Sequence, residues 1–184
     1  MYAKLEEFLR AKQAKYEVLV HGGAVTAQEQ AAVTHTPGNA FAKIVVVKER
    51  DGFVLAALPA SRVLDLDRLK GFIRHGEIRL ATVEEIARVV PDCVPGAIPP
   101  FGALFRLPTF VDRALVNVRE VTMPAGDFAT SIRMRAPEFR RLSAARIGEF
   151  AVMEMLVAKS PGAEPGRRRP RRRVAISSHG WRSR

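Results

Sequence analysis

Apolar residues follow several rhythms along this chain, and each rhythm predicts an element. Between Ala3 and Lys15, Leu5, Phe8 and Leu9 recur at helical spacing, which predicts an amphipathic helix. Tyr16–His21 (YEVLVH) alternates like a strand, and Gly22-Gly23 breaks it. Thr26 and Glu29 have the spacing of a capping box, which predicts a short helix over Ala27–Val33 closed by Pro37-Gly38. Phe41–Glu49 (FAKIVVVKE) and Phe53–Ala60 (FVLAALPA) flank Asp51-Gly52, a strong hairpin signal. Their nearly unbroken apolar character predicts central strands buried on both faces.

The second half is less regular. Asp65–Arg74 reads as a helix and Glu77–Ala81 as a short strand. Thr82 and Glu85 form a second capping box, whose helix runs to about Val90. Then comes PDCVPGAIPPFG (Pro91–Gly102), with four prolines, two glycines and the only cysteine. Ala103–Leu107, Thr109–Ala114, Leu115–Met123 and Phe128–Met134 read as strands, and Pro137 opens a last helix predicted to extend towards Val157. Helices alternate with strands early and strands cluster late. The expected fold class is therefore α/β, a single compact domain over 1–158 with a mixed sheet and surrounding helices. Residues 159–184, rich in Gly, Pro, Arg and Ser, cannot build a core and are expected to form a disordered basic tail.

Charge sharpens this division. The net charge is +11, and residues 160–184, with eight arginines and one glutamate, carry +7 of it. Such a tail fits a polyanion better than the mildly basic body does, because neutralising phosphates drives non-specific binding. A single cysteine forms no internal disulfide, and no apolar run approaches the roughly 18 residues of a membrane helix. A cytoplasmic protein with no membrane association is expected.

Familiar catalytic signatures are absent. Cys93 has no Cys/His signature around it, and neighbouring Asp92 would raise the thiol pKa. The four histidines show no metal-ligand spacing, so no metal and no cofactor is expected. Two features remain. Lys43 sits among apolar neighbours on a predicted strand, sharing a face with Val45 and Val47. Either it snorkels to water from a sheet edge, or it meets a phosphate or a developing negative charge in a cleft. The prolines at 95, 99 and 100 stiffen the loop, while Gly96 and Gly102 permit close backbone approach. It is either a rigid crossover or a frame that presents N–H groups to an oxyanion. Thr130 and Ser131 offer hydroxyls, of which a strand turns only one to a given side. His35 precedes Thr36-Pro37-Gly38, where a surface loop histidine is the commoner case. RRRPRRR (Arg167–Arg173) either holds RNA or is a solvated tail.

The order of YEVLVH…TAQE, FAKIVVV, VLAALPA, RLATVEE, PDCVPGAIPPFG and AGDFATSIRM resembles the YbaK / prolyl-tRNA synthetase-associated domain family over about Tyr2 to Leu142. The resemblance implies a compact domain with a curved mixed sheet and a central cleft. It implies an aminoacyl-tRNA deacylase that uses neither metal nor a serine or cysteine triad. Its tRNA substrate carries the wrong amino acid on the 3′ end, and a synthetase is a further partner. The family's lysine falls on Lys43 and its G-x-x-x-P loop on Gly96 to Pro100, closed by Gly102. The implied catalytic residues are Lys43 and Gly102; the implied substrate contacts are Gly96, Pro99, Pro100, Phe101, His35, Phe128 and Ser131. Some relatives carry a polar residue at Phe128; a larger apolar side chain pointing inward there favours a small amino acid such as alanine on tRNA(Pro). A non-catalytic tRNA-binding module of the same fold is the alternative.

Overall fold

The computed structural model describes residues 1–73 and 76–153. The chain begins with α1 (Ala3–Ala11), β1 (Glu17–Val20) and α2 (Ala27–Val33), followed by the hairpin β2 (Ala42–Lys48) and β3 (Phe53–Pro59). Short elements come next: β4 (Val63–Leu64), α3 (Leu66–Lys70), β5 (Arg79–Leu80) and α4 (Val83–Val89). A 3₁₀ turn (Gly102–Leu104) leads into β6 (Thr109–Asp112), α5 (Arg113–Val116), β7 (Glu120–Pro124) and β8 (Thr130–Arg135). The described chain closes with α6 (Ala136–Ser143), β9 (Arg146–Gly148) and β10 (Ala151–Val152).

Both capping boxes form as the sequence predicts: Thr26 and Thr82 each accept from the backbone of the glutamate three residues on, and each glutamate answers. The apolar hairpin lies at the heart of a five-stranded mixed sheet ordered β5-β2-β3-β6-β9. Its strands pair antiparallel from Ala42↔Pro59 to Lys48↔Phe53, while β6 runs parallel to β3 and β9 parallel to β6. A three-stranded antiparallel sheet, β1-β8-β7, meets it through the bridge Phe41↔Thr122. Leu5 and Leu9 of α1 and Phe139 of α6 complete the core with Ala42, Ala57 and Val111 on one face of the larger sheet. On the opposite face, Val45, Val47, Ala56 and Leu58 pack on Leu69, Phe110 and Phe150.

Several expectations need correction. Ala103–Leu107 is no strand: Gly102 O accepts from both Phe105 and Leu107 N–H at 2.9 Å, curling the chain. The apolar run 109–123 is interrupted by a helix, because Asp112 ends β6 and accepts from Ala114 N–H at 3.0 Å as the N-cap of α5. A strand resumes only at Glu120. The last helix stops at Ser143, since Ala144 turns left-handed (φ 46°) and the chain returns as β9 and β10. The helix expected over Asp65–Arg74 is five residues long, with Asp65 as its N-cap and Gly71 as its C-cap. The division at 158/159, and the basic tail, lie outside the described residues.

Asp112 also holds the new C-terminal segment. Its Oδ2 accepts from Phe150 N–H and Ala151 N–H, both at 2.8 Å, and the residue is only 2% exposed. One carboxylate thereby ties β6, α5 and β10 together.

Candidate active site

The loop between α4 and the 3₁₀ turn is fixed from several sides. Val94 N–H donates to Gly126 O at 3.1 Å and Gly126 N–H to Ala97 O at 2.9 Å, lashing it to the β7–β8 turn. Phe101 is fully buried and meets the rings of Phe8 and Phe139. Gly102 admits no side chain: a Cβ there would run into Leu107 O and Thr109 Oγ1. Gly96 has φ +94°, a conformation that glycine adopts without strain.

An account of N–H groups shows what the loop can offer. Ala97 donates to Val94 O, Phe101 to Pro99 O and Gly102 to Thr109 Oγ1, and Pro99 and Pro100 have no N–H. Among the described residues, the Gly96 and Ile98 N–H groups have no hydrogen-bond partner. The N–H of Gly102 is thus spent on closing the turn, and the loop N–H groups that no described residue uses are those of Gly96 and of the buried Ile98.

Phe128 is brought against this turn: a Cβ added at Gly96 would lie 3.4 Å from its Cε1. The ring therefore points inward onto the loop. Lys43 is placed differently. It is half-buried opposite Leu58, on the strand face of Val45 and Val47, whereas Ile98 and Phe101 pack on the other face of the same sheet. The two are connected around α2. Phe41, two residues before Lys43, packs on Ala27 and Ala31 of that helix, and Gln30 reaches the loop from it.

Gln30 is the residue that sequence reasoning missed. It is 0% exposed, its Nε2 donates to Gly96 O at 3.3 Å, and its Oε1 is buried with no partner among the described residues. A single glutamine on a seven-residue helix carries no signal of burial in the sequence.

Ser131 is also 0% exposed, and its hydroxyl is engaged by His21. His21 Nδ1 lies 2.9 Å from Gly22 O and Nε2 lies 2.9 Å from Ser131 Oγ. The carbonyl places the ring proton on Nδ1, so the serine hydroxyl donates to Nε2. Cys93 is buried, and burial, with Asp92 adding to it, pushes its thiol up to about 12. A thiol so reluctant to ionise is no nucleophile at neutral pH.

His35 stands apart from the loop. It has φ +49° and lines a cavity of about 530 Å³ with Thr36, Thr122 and Arg133. Arg133 is held there by Thr122 Oγ1 at 3.2 Å and Thr34 O at 3.0 Å. Asn39, Asn117 and Val118 also line a neighbouring cavity of about 430 Å³ that contains Arg62, Arg68 and Arg113. The two adjoining cavities thus gather arginines that the sequence scatters over some seventy positions, with the carboxylates of Asp112, Glu120 and Glu149 among them. Among the described residues, no group of three or more His, Cys, Asp or Glu side chains could hold a metal ion, and no helix is long and apolar enough to cross a membrane.

Comparison with known proteins agrees with this architecture. A hypothetical protein, APE2540, superposes with a TM-score of 0.74 at 20% identity, covering 81% of this chain and 99% of that one. A structure described as a candidate trans-editing enzyme for prolyl tRNA synthetase superposes at 0.70 and 23% identity, covering 80% of this chain and 94% of its own. At these identities the likeness is one of fold. A proline--tRNA ligase of Thermosipho africanus is 34% identical over 79 residues, which are 42% of this chain and 14% of the ligase. The chain thus matches only a small part of that relative. The aminoacyl-tRNA editing domain family matches residues 21–142, two strands' length short of the described C-terminus and most of the structured chain. On that match the chain belongs to the aminoacyl-tRNA editing domain family.

Proposed function

We propose that this chain hydrolyses the ester joining a wrong amino acid to the 3′-terminal adenosine of tRNA, acting in trans on released aminoacyl-tRNA. The observation that carries this reading is the rigid turn at Gly96–Ile98, with two N–H groups that no described residue uses. Water adds to the ester carbonyl carbon, and the negative charge that develops on the carbonyl oxygen is received by those two donors without reorganisation. The bond from carbonyl carbon to ribose oxygen then breaks, and the proton lost by the water ends on that oxygen. The products are a free amino acid and a tRNA with its hydroxyl restored. The adenosine 2′-OH activates the water, and Lys43 holds the terminal phosphate or ribose in register. The two arginine-bearing cavities receive the sugar–phosphate strand behind it. The ring of Phe128, turned inward onto Gly96, favours a small amino acid, alanine on tRNA(Pro) being the first to try. A synthetase that releases such errors is the natural partner.

The test is deacylation of Ala-, Cys-, Ser-, Thr- and Pro-tRNA(Pro) by wild type and Lys43→Ala. Selective release of one non-cognate amino acid, lost in the variant, is expected. Release from none of them, with tRNA still bound, would make the chain a tRNA-binding module instead.

A further inference from the structure

Gln30 carries an inference beyond the deacylase reading, on which it rests. Three polar atoms that no described residue pairs belong to the turn and to the side chain that touches it: the Gly96 and Ile98 N–H groups and Gln30 Oε1. Two are donors and one is an acceptor. The orientation of the amide is fixed, because turning it over would set Oε1 against Gly96 O, 3.3 Å from the present Nε2. Buried polar atoms are nearly always paired, so an orphaned acceptor on a fully buried side chain calls for a ligand.

The substrate class supplies the complement. An aminoacyl ester presents a carbonyl oxygen, which accepts, and an α-ammonium, which donates, three bonds apart through the carbonyl carbon and the α-carbon. We propose that Gln30 Oε1 receives the α-ammonium while the loop donors receive the carbonyl oxygen, so that Gln30 selects esters with a free α-amine. Entry requires the half-buried Phe128 ring to turn off Gly96, against which it rests. A charge-assisted hydrogen bond in a dry site is what distinguishes an ammonium from a hydroxyl of the same size. Gln30 therefore reads the amine, whereas the pocket walls read the side chain.

The experiment compares alanyl-tRNA(Pro) with lactyl-tRNA(Pro), in which a hydroxyl replaces the ammonium, in the full-length protein. Wild type should prefer the alanyl ester by about tenfold to a hundredfold. Gln30→Met, which removes both amide atoms at similar length, should slow alanyl release by that factor and leave lactyl release within about twofold, so that the preference collapses. Gln30→Glu, which in its neutral carboxyl form still donates to Gly96 O and keeps an acceptor, should retain the preference, and it decides the matter if the methionine variant fails to fold. Equal slowing of both esters by Gln30→Met, or a lowered preference in Gln30→Glu, would reduce Gln30 to a prop for Gly96 and overturn the proposal. If wild type cleaves neither ester, the deacylase reading itself fails and this proposal with it, a result unlike either of the others.

Discussion

Replacing Asp112 should do more harm than replacing any other single polar residue of the described core. Its carboxylate accepts three backbone N–H groups, from Ala114 at 3.0 Å and from Phe150 and Ala151 at 2.8 Å. In Asp112→Ala, the Phe150 and Ala151 groups stay buried without partners, at about 1–3 kcal/mol each, and loss of the N-cap of α5 adds about 1 kcal/mol. Relief of the desolvated carboxylate offsets part of this. A net loss of about 4 kcal/mol is expected, a large share of the roughly 5–15 kcal/mol that holds a domain together. Asp112→Asn keeps one acceptor but turns an NH₂ towards remaining donors, and should lose about 2 kcal/mol. Urea unfolding followed by far-ultraviolet circular dichroism measures both. With a slope of about 2 kcal/mol per molar, the alanine midpoint should fall by about 2 M. An alanine variant within about 1 kcal/mol of wild type would refute the claim that this carboxylate bears the junction.

Other consequences can be checked more briefly. Gly102→Ala should be destabilised by about 3 kcal/mol or more in the same assay, because the new methyl must displace Leu107 O, a backbone atom, as well as Thr109. Cys93 should resist alkylation at pH 8 until the protein is unfolded, and Cys93→Ala should deacylate as wild type does. Because the folded thiol titrates near 12 while the unfolded one titrates near 9, its contribution to stability is complete below pH 9 and declines as pH rises from 9 towards 12; Cys93→Ala should flatten that decline. Arg79, and after it the Thr82 N–H, hold Glu85 down to about 2, so its contribution is complete above about pH 4.5 and disappears as pH falls towards 2. Glu85→Gln should therefore unfold with a shallower dependence on acid.

What could be read from the sequence was what local chemistry decides. The hairpin at Asp51-Gly52, the capping boxes at Thr26 and Thr82, and the position of Gly96 in a rigid loop all depend on residues close together in the chain. The failures arose where tertiary contacts overruled an apolar run. Asp112 sits inside a stretch that otherwise reads as strand, and the second role of its carboxylate, holding the Phe150 and Ala151 N–H groups, lies nearly forty residues away. Ala144 ends α6 in a conformation more often given to glycine, so the residue type gave no warning. In the site, Lys43 and the loop lie on opposite faces of one sheet, and what packs on each face comes from residues distant in the chain. Gln30 was invisible for the same reason.

The parallel pairing of β3 with β6 ties the history of folding to the site. Leu55 lies opposite Thr109, so the strands cannot meet until the intervening chain, with α3, α4 and the whole proline loop, has been drawn into a crossover. Contacts so distant in sequence are costly to close and slow to form. The loop is thus the tether whose length and stiffness govern how fast the central sheet is completed. A substitution that loosens it for a new substrate will also lengthen the time the hairpin spends with its apolar β3 edge bare, so the limit on remodelling this pocket is set during assembly, before any substrate is met.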